Sequence, residues 1–267
     1  MKVFVSADIE GIAGVTSWDE TLPGRLGYEE AQIQMNKEVT AACDAAIELG
    51  YEVVVKDGHD AGLNLHHDKL PKNVELIRGW MTTPESMMAG IDETYDAAIY
   101  IGYHSPEGSD TSCLAHTIEH SEFNWIKINN KIASEFTINR ITADSYHVPS
   151  IFISGDEGIC NLAKEESPSI VSVTTKISTG NSTWNKHPEV VTREIFEGVK
   201  NALLIRESIP IIPLESEYKL TINFKEHAKA KRAAWYPGVS RINSHIVEYT
   251  ATTPLELRIA QMFMTGL

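Results

Sequence analysis

The sequence predicts an α/β protein: a mainly parallel sheet flanked by helices, followed by a smaller C-terminal α+β subdomain. Three observations carry this. Short continuous apolar runs, Val3-Phe4-Val5, Val53-Val54-Val55 and Ala97–Tyr103, suit strands covered on both faces. They alternate with stretches of helical period, the order expected of βαβ units. From Ile209 onward the pattern changes to alternating strands around an alanine- and lysine-rich segment. We therefore read residues 1–208 as an α/β domain and residues 209–267 as a small α+β subdomain packed on it.

The elements follow in order. The first strand runs into Asp8-Ile9-Glu10-Gly11. Its loop, Gly11-Ile12-Ala13-Gly14, is not G-x-G-x-x-G and gives no dinucleotide fingerprint. Between Tyr28 and Leu49, Ala31, Met35, Val39, Ala42, Ala46 and Leu49 form one apolar helical stripe, which Gly50 stops. The strand around Val53–Val55 leads into Asp57-Gly58-His59, and Val74–Ile77 reads as a further short strand. Ala97–Tyr103 ends directly in His104. Phe123–Asn130 alternates around Trp125-Ile126-Lys127-Ile128 and turns at Asn129-Asn130, a hairpin signal. A helix follows within Ile132–Tyr146, with Glu135 near its start. Val148–Ser154, ending near Asp156, and Ile170–Thr175, ending at Lys176, read as strands, with a helix over Gly158–Glu166 between them. The polar stretch Ser178–Trp184 is read as a connection. Pro188–Ile205 carries the stripe Val191, Ile195, Val199 and Ala202. In the tail, Ile211–Pro213, Tyr218–Phe224 and His245–Tyr249 read as strands, and Glu226–Trp235 and Thr253–Met264 as helices.

The totals bound the function. The 267 residues are 42% hydrophobic, enough for a full core. A net charge of −14 argues against nucleic-acid binding and against adhesion to anionic membranes. Three scattered cysteines, Cys43, Cys113 and Cys160, make no disulfide framework and no C-x-x-C pair. With no apolar leader before the first strand, the expected location is cytoplasmic.

Chemistry gathers at strand ends. Side chains two apart on a strand share a face, so Asp8 and Glu10 aim two carboxylates at one place. A buried acidic pair is costly unless a cation sits there. Ligands bind outside the carboxyl ends of strands in open α/β sheets, and His59 and His104 are delivered to that edge. With Glu135 they form a nitrogen/oxygen donor set suited to zinc, manganese or iron. Five donors exceed the need of one tetrahedral ion and point to two metals sharing a carboxylate and a water.

These residues resemble a family. Asp8-Ile9-Glu10-Gly11, Asp57-Gly58-His59, Gly102-Tyr103-His104, His116 between Ala115 and Thr117, and Glu135 with Asn139 are similar to the zinc-dependent D-aminopeptidases. The likeness continues through Gly155-Asp156, Lys176 within Val173–Ile177, and Ala230–Gly238. It implies Asp8, Glu10, His59, His104 and Glu135 as ligands of two Zn2+ ions, with Asp8 bridging, and His116 as the catalytic residue. It further implies release of the N-terminal residue from short D-Ala-type peptides by a dizinc-activated water, and a homodecamer of two pentameric rings. Leu114-Ala115-His116-Thr117 stands where relatives carry Met-Ser-His-Ser, and the loop Pro106–Thr111 diverges. Two other readings compete: a dizinc hydrolase of another amide or ester, and a non-catalytic peptide-binding component.

Overall fold

The computed structural model describes residues 1–266. Its main sheet has the order β3-β2-β1-β4-β7-β8-β9. The strands are β1 (Lys2–Ala7), β2 (Glu52–Asp57), β3 (Val74–Ile77), β4 (Ala97–Tyr103), β7 (Ser150–Asp156), β8 (Val171–Thr179) and β9 (Ser182–Asn185). All pair in parallel except β9, which returns antiparallel along β8. Both faces are covered, which is why β1, β2 and β4 read as unbroken apolar runs. Val3, Val5 and Ala7 point to a core that they share with α1 (Tyr28–Glu48) and α4 (Pro188–Leu204). Phe4, between them, points to the opposite core, closed by α2 (Glu135–Ser145) and α3 (Glu157–Glu166).

The second sheet is antiparallel, with order β11-β12-β10-β5-β6. The tail contributes β10 (Tyr218–Phe224), β11 (Ser240–Arg241) and β12 (Ile246–Ala251), while the hairpin β5 (Phe123–Ile128) and β6 (Lys131–Ile132) joins from the middle of the chain. Helices α5 (His227–Ala233) and α6 (Pro254–Thr265) pack on it. Helix α2 serves both sheets: Phe136 and Ala143 enter the main core, and Ile138 and Ile141 enter the core of the second sheet.

Two local readings change. Ile211–Pro213 forms no strand; Pro210 and Pro213 lack the N–H groups a ladder needs. The polar stretch after Lys176 is not a plain connection but a hairpin, with Ile177 paired to Trp184 and Thr179 to Ser182. Its side chains are largely exposed, so it carries no apolar alternation for a sequence reading to find.

The sheet positions the site through its order. After β1 the chain adds β2 and β3 on one side, then crosses to place β4 on the other. The ends of β2, β1 and β4 thus lie side by side at a topological switch point, where ligands bind in such sheets. Beyond the strand ends the backbones nearly touch. The Gly11 N–H donates to the Gly102 carbonyl at 2.7 Å, and a Cβ on Gly11 would lie 1.8 Å from the Tyr103 carbonyl oxygen. Gly102 sits at φ +75°, and a Cβ there would meet the Asp8 carbonyl at 2.2 Å. Gly11→Ala is therefore expected to cost about 3 kcal/mol of stability, the upper range for forced overpacking. It should also lower metal content by moving Glu10. Urea unfolding with metal analysis checks both.

Candidate metal centre

Each acid and histidine singled out in the sequence reaches one buried cluster. Asp8 and Glu10 follow β1, His59 follows β2, and His104 follows β4. Glu135 is placed by a cap: Ser134 accepts from Thr137 N at 3.0 Å, so α2 starts at Glu135. An acid in the first turn of a helix is also favoured by the helix dipole. The loop bearing His59 is tied down by Asp57, whose carboxylate accepts from the backbone N–H groups of Asn64 and Leu65, each at 2.7 Å.

The three imidazoles share one design. His59 donates Nε2–H to the Thr21 carbonyl at 2.8 Å, which leaves the Nδ1 lone pair facing inward. His104 donates Nδ1–H to the Ser105 carbonyl at 3.0 Å, leaving Nε2 inward. His116 donates Nδ1–H to the Leu114 carbonyl at 2.9 Å, again leaving Nε2 inward. Fixing the tautomer from the outer nitrogen is how metal-site histidines are oriented.

Inward, the donors sort into two groups that share Asp8. His59 Nδ1 lies 3.3 Å from Asp8 Oδ1 and 3.1 Å from Glu10 Oε2. His104 Nε2 lies 3.4 Å from Asp8 Oδ2 and 3.3 Å from Glu135 Oε2. Asp8 Oδ2, Glu10 Oε2 and His104 Nε2 are buried and have no hydrogen-bond partner. Buried polar atoms are otherwise almost always satisfied, so orphans converging on one place fit a cation. The donor set contains imidazole and carboxylate without thiolate, which suits zinc.

The electrostatics agree. Burial, followed by the charge of Glu10, pushes the Asp8 carboxyl up to about 8. Against the effect of burial, Glu135 and Asp8 push His104 up to about 10, and Glu10 and Asp8 hold His59 well above its usual range. A dry site disfavours three neighbouring carboxylates as anions, and positive charge among them, on the imidazoles or on a bound cation, relieves that cost. His116 differs: burial and the neighbouring His104 hold it below its ordinary value. It stacks on His104 with centroids 4.0 Å apart, and its Nε2 lies 3.6 Å from Glu135 Oε1.

Other polar residues support the cluster. The carboxylate of Asp156 accepts from Ser105 N at 2.8 Å and Ser105 Oγ at 2.6 Å, holding the residue that orients His104, and also caps α3 through Ile159 N. Lys176 makes no ion pair among the described residues. Its buried ammonium donates to the carbonyls of Glu10, Ile12 and Val15, clamping the loop that presents Glu10. Asp60 is exposed and lines the adjoining cavity; the Thr21 carbonyl, not Asp60, holds the imidazole of His59.

The cluster opens into a cavity of about 500 Å³ lined also by Trp18, Trp80, Glu119, His120 and Arg258. Sequence reasoning assigned no chemistry to these. Trp18 stacks on His120 with centroids 4.1 Å apart and meets His116 edge-on at 5.3 Å. No local motif marks them, because the contacts join separate segments.

A buried carboxylate–imidazole cluster at the strand ends of an α/β sheet, open to a small-ligand cavity, defines a metallohydrolase scaffold. The comparisons with known proteins make this specific. Residues 1–263 match the model of the Peptidase_M55 family, the D-aminopeptidases, and the chain belongs to that family. It is 27% identical to the D-aminopeptidase of Bacillus subtilis (strain 168) over 270 residues, covering 100% of this chain and 97% of that protein. Its fold superposes with a TM-score of 0.94 on the zinc-dependent D-aminopeptidase DppA from Bacillus subtilis, described as a self-compartmentalizing protease. That match has 27% identity and covers 100% of this chain and 97% of the other.

Proposed function

We propose that this protein is a zinc-dependent aminopeptidase that removes the N-terminal residue from short D-alanine-type peptides. We further propose that it holds two zinc ions per subunit, bridged by Asp8. One observation carries the reading: the two carboxylate oxygens of Asp8 face two different imidazoles, each beside a second carboxylate, Glu10 or Glu135. In this reading His59 and Glu10 hold one ion, and His104 and Glu135 the other.

When bound, such a pair lowers the pKa of a water towards neutrality and polarises the scissile carbonyl. The remaining work belongs to the chain. His116 presents a basic Nε2 at the cavity wall, because its Nδ1–H is committed to Leu114. It accepts a proton there, and the Nε2–H so formed donates a hydrogen bond to the developing oxyanion or returns the proton to the leaving amine. Glu119, an acid of the cavity wall outside the proposed ligand set, supplies negative charge for the substrate's ammonium group, which sets the aminopeptidase register. Trp18 and Trp80 give the cavity apolar walls.

Assembly into a decamer of two pentameric rings is part of this proposal. It is supported by the relative's self-compartmentalizing character and by exposed apolar side chains such as Leu26, Trp184 and Trp235. Among the described residues no helix is long and apolar enough to cross a membrane.

Purified protein should cleave D-alanine p-nitroanilide and act at least about 10-fold more slowly on the L-enantiomer, the size of discrimination a shaped pocket provides. Chelator should stop the reaction and zinc restore it. Equal D and L rates would sink the stereochemical assignment, and full activity in chelator would sink the metal.

A further inference from the structure

Arg258, on α6, is only 5% exposed, yet it lines the same cavity as the metal-ligand cluster. Its guanidinium donates from Nε to the Pro84 carbonyl at 3.0 Å, from Nη1 to Gln261 Oε1 at 2.5 Å, and from Nη2 to the Glu85 carbonyl at 3.4 Å. All three acceptors are neutral oxygens. Among the described residues no carboxylate makes an ion pair with it, although those of Glu85 and Glu135 attract it through space. The carboxylate of Glu85 is engaged elsewhere, accepting from the Tyr146 hydroxyl at 3.0 Å. Burial pulls Arg258 down to about 10, so it remains a cation at neutral pH.

A buried guanidinium is normally matched by a carboxylate, because its desolvation is otherwise uncompensated. Arg258 offers five N–H donors and uses three of them here, which leaves one on each Nη. A carboxylate in direct contact has a natural source in the reading given above. A short peptide is a zwitterion, and in that reading its ammonium end is held beside the metal cluster by Glu119. Its other end is a carboxylate, the planar acceptor that a guanidinium fork fits.

We propose that Arg258 is a specificity-determining residue that binds the free C-terminal carboxylate of the peptide. This rests on the aminopeptidase reading and extends it: the enzyme selects short peptides because both charged ends are held in one cavity of about 500 Å³. A peptide whose carboxylate lies many residues away, or is blocked, leaves the guanidinium unpaired.

The test compares D-alanyl-D-alanine with its C-terminal carboxamide on the zinc-loaded, full-length enzyme. Wild type should favour the free acid by about 10- to 100-fold in kcat/KM, the worth of charge-assisted hydrogen bonds, and chiefly through KM. Arg258→Gln and Arg258→Met should bring that ratio close to one while retaining turnover of the carboxamide. Arg258→Lys should keep part of the preference. If Arg258 only braces α6 against the 84–85 segment, the substitutions will depress both substrates equally and the ratio will survive, which overturns the proposal. A hydrolysis-independent arm separates this from the aminopeptidase reading. Analogues of the two peptides with the scissile amide reduced to a methylene-amine are titrated by calorimetry. Wild type should bind the acid at least about 10-fold more tightly than the carboxamide, and Arg258→Gln should bind both alike. Equal binding, or no binding, by wild type overturns the role of Arg258. Failure to cleave either dipeptide, with the binding preference intact, counts against the aminopeptidase reading alone.

Discussion

Asp8→Ala is expected to empty both metal positions and reduce kcat/KM by at least about 10³-fold, because several kcal/mol of transition-state stabilisation depend on the bound ions. Asp8 is 2% exposed, and its two oxygens address His59 and His104 separately. Of the three carboxylates, Asp8 is the one that lies close to both His59 and His104; Glu10 meets His59 and Glu135 meets His104. Loss of Glu10 should weaken the His59 side and loss of Glu135 the His104 side, each sparing the other more than Asp8→Ala does. Elemental analysis of the purified variants reads this directly: close to two zinc per subunit in wild type, close to none in Asp8→Ala. Thermal unfolding adds a second readout. A metal that binds only the folded chain stabilises it, so zinc should raise the wild-type Tm and chelator should lower it, whereas Asp8→Ala should respond to neither. Full zinc content in Asp8→Ala would show that Asp8 is a structural acid and not the bridge.

His116→Ala is expected to separate chemistry from metal binding. Turnover should fall by about 10²- to 10⁴-fold, the range for loss of a positioned acid–base group or oxyanion donor. Zinc content should stay near that of wild type, and KM should change little. The expectation rests on where the imidazole sits. Its Nδ1–H is fixed by Leu114, its ring is stacked on His104, and its Nε2 is 3.6 Å from Glu135 Oε1 and 4.0 Å from Glu10 Oε1. Burial and His104 hold it below the usual histidine range, so at neutral pH it is the free base. The competing outcome is specific. His104, His116 and Glu135 themselves form a group able to hold an ion. If zinc falls in step with turnover, His116 is a ligand and its catalytic assignment is wrong.

Much of the molecule could be read before folding was considered. Asp8 and Glu10 were legible because strand geometry puts alternate side chains on one face. His59 and His104 were legible because their strands are apolar runs that stop at a donor. Glu135 was the weakest of the set by sequence, since a glutamate near a helix start is ordinary. Its place depends on the Ser134 cap and on α2 lying between the two sheets. The role of Lys176 is not legible in the sequence. A lysine at a strand end suggests an acid or a substrate carboxylate as partner, and only the folded chain shows it bound to three backbone carbonyls of the loop after β1. Trp18, His120 and Arg258 carried no signal. They come from a 3-10 turn, a loop and the last helix, and meet around a cavity that no single segment encodes.

By itself the sequence determined the α/β class, the succession of most strands and helices, and the acids and histidines that gather at the strand ends. These follow from local rules: apolar runs for covered strands, a 3.6-residue period for helices, and carboxylates and imidazoles wherever a strand stops. The tertiary structure decided what depends on distant segments meeting. It set the order β2-β1-β4, which brings the strand ends together, and the pairing of the β5–β6 hairpin with β10 of the tail. It also fixed which nitrogen of each histidine faces inward, because the carbonyl that takes the outer N–H of His59 belongs to Thr21, in another part of the fold. Long-range pairing and tautomer choice depend on neighbours in space, and periodicity along the chain carries no record of them.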